Sequence, residues 1–301
     1  MWAAAARSAF RRDGFVARPG VVAAGEAKVL REHYAALFRG DFPRGVYPDE
    51  WHWREGISKP DAFREIVNGW KASHLVAPVA LSERIGRLAA ELMGWSAGAR
   101  LGQDDLLWKP AGAGGVAFHT DAAYISSNFR PYEDNSVTVW IALDDADAET
   151  GVVAYAPGSH AWPSAADKEK ASVTDAAFHG EGDAGLREPA RRAAAAAGVA
   201  PPQFEELTVP AGGAVFHHQD VWHGSGPNVS PERPRRALGL HYVRADAGFR
   251  EAPPPDYIYG RYVLGEGDTT VHETFFPIVY TPKGYRSPVC DIACADPRSD
   301  P

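Results

Sequence analysis

With 301 residues and a formal net charge of −8, the chain is long enough for one large domain and too acidic to favour a nucleic-acid partner, which would need a basic face. Hydrophobic residues at 45% and charged residues at 23% are ordinary for a soluble globular protein with a sizeable core. No apolar run reaches the length of a membrane span, and Met1-Trp2-Ala3-Ala4-Ala5-Ala6-Arg7 lacks the basic leader of a signal peptide, so a cytoplasmic location is expected.

Asp13-Gly14-Phe15-Val16-Ala17 reads as a short strand entering from a turn. Apolar positions Val22, Val29, Leu30, Tyr34, Leu37 and Phe38 then recur at helical spacing and predict an amphipathic helix over 22–38. Residues 40–60 are irregular and cluster Trp51, His52, Trp53 and Arg54; these aromatics either plug the gap between helices and sheet or floor a pocket for a flat ring. Ser82 suits the cap of a second helix with Ile85, Leu88, Ala89 and Leu92 on one face and Gly94 as its stop. From Leu101 the texture turns to strands, with Gln103, Asp105, Leu107 and Lys109 sharing one face. The loop Ala111-Gly112-Ala113-Gly114-Gly115 is no phosphate cradle, because no GK[ST] follows it.

Further strands are expected at Ser136–Leu143, Val152–Tyr155, Phe204–Val209 and Ala237–Val243. The acidic turn of Asp144, Asp145, Asp147 and Glu149 lacks EF-hand spacing and reads as solvated. Residues 161–200 carry a helix near 191–197 and form an insertion, a lid or a passive connector. Cys290 and Cys294, the two cysteines, read as reduced thiols in a tail without clear periodicity. With no repeat, heptad or linker, one domain over 1–301 is expected: a helical N-terminal part at about 10–98, a barrel core at about 100–245 and an extension at about 246–301. The fold class is mainly β with flanking helices, a double-stranded β-helix of the jelly-roll or cupin-like barrel type.

The chemistry centres on Phe118-His119-Thr120-Asp121 and Trp222-His223-Gly224-Ser225-Gly226-Pro227-Asn228. On a strand, positions i and i+2 face the same way, so His119 and Asp121 would grip one ion while His223 arrives from another strand. Two imidazoles and one carboxylate leave open positions on an octahedral ion, as in non-haem Fe(II) oxygenases. Zinc hydrolases use similar donors, commonly from a helical His-Glu-x-x-His that is absent here, so a metal-dependent isomerase or hydrolase is the alternative. A non-catalytic binding module is the third class. His217 and His218 compete with His223 for the distal position. After His223 come Arg233, Arg235 and Arg236; one inward-pointing Arg would need an anionic partner, which a dicarboxylate cosubstrate supplies, with Ser225 and Lys109 within plausible reach.

His119-x-Asp121, Ala156-Pro157-Gly158-Ser159-His160, Trp222 to Asn228 and Arg235-Arg236-Ala237 together resemble the phytanoyl-CoA dioxygenase family of Fe(II)/2-oxoglutarate-dependent oxygenases, over roughly residues 10–245. The resemblance implies that His119, Asp121 and His223 hold Fe(II), that Arg235 and Ser225 bind 2-oxoglutarate, that Trp140 lies against it with Lys109 contributing, and that O2 is consumed. Arg236 is the runner-up to Arg235, since adjacent strand residues point oppositely. Gln103 would face the primary substrate by the same analogy. Asp121 stands where halogenases of this family carry Ala or Gly, which favours hydroxylation, ring closure, epimerisation or desaturation. No basic cluster suits the phosphates of coenzyme A. Trp53 and Tyr124, with Phe129 and Tyr132, suit a small sugar-like or polyketide-like substrate, and the Ala-rich, Arg-over-Lys composition suggests bacterial natural-product or antibiotic tailoring.

Overall fold

A computed structural model of the protein describes residues 1–163, 183–251, 253 and 257–296. In chain order its strands are β1 (Phe15–Arg18), β2 (Glu50–Trp51), β3 (Arg64–Val67), β4 (Ala99–Lys109), β5 (Val116–His119), β6 (Phe129–Arg130), β7 (Ser136–Ala142), β8 (Val153–Tyr155), β9 (Glu205–Glu206), β10 (Ala214–His218), β11 (His223–Ser225), β12 (Arg235–Arg244), β13 (Gly248–Phe249) and β14 (Ile278–Tyr280). The major sheet runs β1-β10-β7-β12-β4-β3-β2, with β14 also paired to β4; the minor sheet runs β5-β11-β8-β9. These are the two sheets of the expected jelly roll, and they stay open at their edges rather than closing into a barrel. Among the described residues the strand pairings of both sheets are antiparallel, which fits strands linked by turns and loops.

Alternation sorts the major sheet into two faces. Ile66, Leu106, Val139, Ile141, Phe216, Leu238 and Leu240 pack outward in one core with Leu30, Leu37, Phe38, Ile85 and Leu88 of the helices Ala24–Phe38 and Glu83–Met93. Trp140, Val215 and Ala237 point inward, where they meet Val153 and Tyr155 of the minor sheet. The second helix begins as expected: the Ser82 hydroxyl accepts from the Ile85 N–H, and Gly94 closes it at φ 74°.

The sheet is wider than residues 100–245. Residues before that range supply β1, β2 and β3, and β14 comes from the extension. A helix at Ala4–Asp13 was not expected either; its Ala-rich stretch has good propensity but few buried positions, Phe10 being the one enclosed. Of the 161–200 insertion, residues 164–182 lie outside the described residues. The described remainder includes the helix Glu188–Ala196, whose Ala190 packs on Phe118, on the back of the minor sheet. Cys290 and Cys294 are free thiols in the helix Val289–Cys294.

Candidate metal centre and cosubstrate pocket

The two histidines meet because β11 pairs with β5 in a register that sets His223 directly opposite His119. Gly224 makes this possible: a Cβ there would lie 2.6 Å from Phe118 Cδ2 and 2.8 Å from the Val116 carbonyl oxygen. β5 ends at His119, Thr120 stays extended at φ −118°, and Asp121 opens a short 3-10 turn. The i, i+2 relation therefore survives although Asp121 is not itself in the strand. The ligand atoms of His119, Asp121 and His223 all lie within 4.8 Å of one another. Asp121 Oδ1 is 3.7 Å from His119 Nε2 and 3.4 Å from His223 Nε2.

Each ring is oriented by its other nitrogen. His119 Nδ1 donates to the Ala117 carbonyl at 2.8 Å, and His223 Nδ1 donates to the Val221 carbonyl at 3.0 Å, leaving both Nε2 lone pairs facing Asp121 Oδ1. Burial, followed by mutual repulsion in the case of His119, lowers both pKa values to about 4, so both rings are neutral donors at physiological pH. Burial pushes the Asp121 pKa upward, but the His223 and His217 contacts outweigh it and hold the carboxylate well below its usual range. Two neutral imidazoles and one carboxylate fit a divalent iron.

A second row of side chains lies beneath. Thr138 sits on β7, flanked in register by His217 on β10 and His241 on β12. Asp121 Oδ2 accepts from the Thr138 hydroxyl and from His217 Nε2, the latter at 2.9 Å. Because Thr138 gives its one proton to a carboxylate, His241 Nδ1 at 2.8 Å must donate to it. His241 Nε2 faces Asp105 Oδ2 at 2.7 Å and donates as well, so the ring is an imidazolium. Burial opposes that charge, but Asp105, Asp121 and Glu65 outweigh it and raise the His241 pKa. His217 differs: its Nδ1 takes the Tyr155 hydroxyl at 3.1 Å, and burial keeps the ring neutral. Sequence reasoning assigned no role to Thr138, His241 or Asp105 and treated His217 as a rival ligand. The inward alternation of Thr138 with Trp140, and of His241 with Arg235, was the available signal.

Two residues along β11 from His223, Ser225 meets one of two buried cations. Arg235 and Lys109 are register partners across β12 and β4, 2% and 0% exposed. Lys109 Nζ donates to Ser225 Oγ at 2.7 Å, and Arg235 donates to the Gly151 carbonyl while its Nε has no partner. The Arg235 guanidinium lies 5.2 Å from the Trp140 ring centroid. Among the described residues neither cation has a carboxylate within ion-pair distance. Burial therefore lowers the Arg235 pKa to about 10 and, with Arg235 adding repulsion, holds Lys109 well below its ordinary value. Arg236 points outward instead and pairs with Asp144 at 2.7 and 2.9 Å. Arg233 is tied to Asp147 and Glu149, so the acidic turn is an exposed ion-pair cluster.

The expected substrate residues divide. Tyr124 follows the 3-10 turn, its ring 6.1 Å from that of His119. Gln103 is on the inner face, its amide donating to Asp105 at 2.7 Å and accepting from the Tyr259 hydroxyl at 3.0 Å. Trp53 is not brought to the site. It packs with the helix-side core, and Arg64 lies between its ring and that of Trp108, at 4.0 and 4.2 Å. Arg64 and Trp108 are register partners on the outward face, so Trp53 is a gap-filler behind the sheet. Phe129 is core, stacked on Phe249, and Tyr132 is bound to Asp220.

The description "Phytanoyl-CoA dioxygenase (PhyH)" belongs to the family whose sequence pattern matches residues 10–237. A "Probable alpha-ketoglutarate-dependent hypophosphite dioxygenase" from Stutzerimonas stutzeri is 33% identical over 168 residues, 55% of this chain and 52% of that protein, so the chain spans about half the length of this curated relative. Among solved structures, the non-heme alpha ketoglutarate dependent carbocyclase SnoK from nogalamycin biosynthesis has TM-score 0.67 at 22% identity, covering 92% of this chain and 96% of the other. The epimerase SnoN of the same biosynthesis has TM-score 0.63 at 24% identity, covering 91% and 97%. With the pattern matched over most of its length and a His-Asp-His cluster in place, this chain belongs to the phytanoyl-CoA dioxygenase family of iron- and 2-oxoglutarate-dependent oxygenases.

Proposed function

We propose that the protein is an Fe(II)/2-oxoglutarate-dependent dioxygenase that oxidises a small organic molecule, by hydroxylation, ring closure or epimerisation. The observation that carries this reading is a neutral-neutral-anionic donor triad joined through β11, which carries both His223 and the Lys109-bound Ser225, to two buried cations that have no carboxylate partner among the described residues. His119, Asp121 and His223 would hold the iron, which supplies the O2 chemistry when bound. Arg235 and Lys109 would neutralise the far carboxylate of 2-oxoglutarate, Ser225 would add a hydrogen bond, and the Trp140 ring would wall the cosubstrate. Gln103 and Tyr124 would face the primary substrate. Thr138 and His217 engage Asp121 Oδ2, which would leave Oδ1 to meet the metal.

Tailoring of a natural product in the bacterial cytoplasm fits the carbocyclase and epimerase neighbours, one of which is known with Fe3+, alpha ketoglutarate and a nogalamycin compound. No helix among the described residues is long and apolar enough to cross a membrane. The test is anaerobic titration of the metal-free protein with Fe(II) and then 2-oxoglutarate, followed by the visible metal-to-ligand charge-transfer band. A saturating band is expected. Iron binding without the band would remove Arg235 from the cosubstrate role and favour a metal-dependent isomerase or hydrolase.

A further inference from the structure

The inner face of the major sheet continues past the metal centre onto β3, where Glu65 is the register partner of Leu107 and Val67 that of Asp105. Glu65 therefore projects to the same side as Asp105, the side opposite Trp108 and the helices. Among the described residues its carboxylate has no hydrogen-bond or ion-pair partner. The charges acting on it are Asp105, Glu50, His52 and His241; burial first, then Asp105, raises its pKa to about 8. His52 is itself paired with Glu50 at 2.9 Å, and His241 is taken by Asp105 and Thr138. No cation is left over for Glu65 within this set.

A second group points to the same place. The Tyr257 ring is held against Tyr259 at 5.5 Å. Its phenol feels the fields of Asp105, Glu50, Glu65 and Tyr124, which with burial raise its pKa well above the ordinary value. Its hydroxyl, like the Glu65 carboxylate, has no hydrogen-bond partner among the described residues. A carboxyl group with a raised pKa and no partner among the described residues ionises when a cation is seated against it, so Glu65 beside the Tyr257 phenol is complementary to a protonated amine, through a charge-assisted hydrogen bond and cation–π contact. At the opposite end, Arg235 and Lys109 are complementary to an anion.

We propose that Glu65 is a specificity-determining residue of this site and that the primary substrate carries a cationic nitrogen, which Glu65 and Tyr257 receive. The proposal rests on the oxygenase reading, since it assigns the second of two molecules sharing the cavity. An anion such as the hypophosphite named for the Stutzerimonas relative would leave the Glu65 carboxyl group without a cation.

The test uses protein loaded anaerobically with Fe(II) and 2-oxoglutarate, so that the charge-transfer band first reports whether the oxygenase reading holds. Matched probes are then titrated against the band: benzylamine and benzyl alcohol, tyramine and its alcohol analogue, glucosamine and glucose, and sodium hypophosphite. Amines are expected to bind about tenfold or more tightly than their neutral partners, the scale of one hydrogen bond to a charged group. Glu65→Gln should erase that preference and Glu65→Lys reverse it, while both keep the band formed with 2-oxoglutarate. Equal binding within every pair, no binding by any amine, tighter binding of hypophosphite, or a preference surviving in Glu65→Gln would each overturn the proposal. Failure of the band itself would instead count against the oxygenase reading.

Discussion

Replacing Thr138 by Val removes one hydroxyl and keeps the shape of a β-branched side chain in a strand. The lost proton is the one given to Asp121 Oδ2, and the lost oxygen is the acceptor for His241 Nδ1. A hydrogen bond to a charged group contributes about 1.5–3 kcal/mol. Loss of a partner behind a metal ligand typically costs about 10–100-fold in affinity, or roughly 1.4–2.8 kcal/mol. His217 still donates to the same oxygen at 2.9 Å, so the lower end applies, and about a tenfold weaker metal site is expected. Equilibrium titration with Mn(II), read by the electron paramagnetic resonance of the free ion, measures this without turnover. Thr138→Ser keeps the hydroxyl and should restore most of the affinity. If Thr138→Val binds Mn(II) within about twofold of the wild type, or Thr138→Ser is equally weak, the hydroxyl is not what positions Asp121.

Arg235→Gln should weaken 2-oxoglutarate binding by about 2–5 kcal/mol, because a buried carboxylate loses its charged partner, whereas Arg236→Gln should leave it unchanged; calorimetric titration of both variants checks the choice between neighbours. Metal-free protein should lose stability on acidification. His119 and His223 have folded pKa values of about 4, below the unfolded value of about 6.5, so unfolding takes up protons in that window and each ring costs up to about 1.4 kcal/mol per pH unit as pH falls. His241, whose pKa is raised, acts above that window and in the opposite sense; denaturant unfolding at pH 7, 6 and 5 measures the slope, and a flat profile contradicts the buried neutral rings. Trp53→Leu should lower thermal stability by removing a large buried ring, on the order of 2–4 kcal/mol, with 2-oxoglutarate affinity unaltered.

The metal triad was legible because its spacing is a local rule carried by two short segments: i, i+2 in His119 and Asp121, and a histidine opening a Gly-Ser-Gly-Pro-Asn turn. The Arg235 and Arg236 ambiguity was legible as an alternative, since strand parity says that one points in but not which. Parity became absolute once β12 was seen paired with β4 and β7 on a sheet with helices behind it. Trp53 was misread for the complementary reason: aromatic clustering says nothing about which face of a sheet a loop covers. β2 and β3 escaped notice because strands of two and four residues carry too little alternation, and Glu65 with them. Phe204–Val209 showed the reverse error, its strand shrinking to Glu205–Glu206 with a single bridge from Val209 to Ala146. Thr138, His217 and His241 were separated by up to 103 residues in sequence, and register alone brings them into one row.

That row explains how one strand orders the whole cavity. β4 presents Gln103, Asp105, Leu107 and Lys109 on its inner face at intervals of two residues, roughly 6.6 Å each, so Asp105 and Lys109 are about 13 Å apart. Lys109, with Arg235 opposite, fixes the anionic end. Asp105, joined through His241 and Thr138 to Asp121, fixes the other end and links it by hydrogen bonds to the metal ligand. His119 and His223 reach in from the minor sheet, and Asp121 from the turn that follows β5. On the proposed function, one carboxylate of the cosubstrate would be received at the Lys109–Arg235 pole. On the further proposal, a second molecule would meet Glu65, which register places on the same face of the sheet as Asp105 and Lys109.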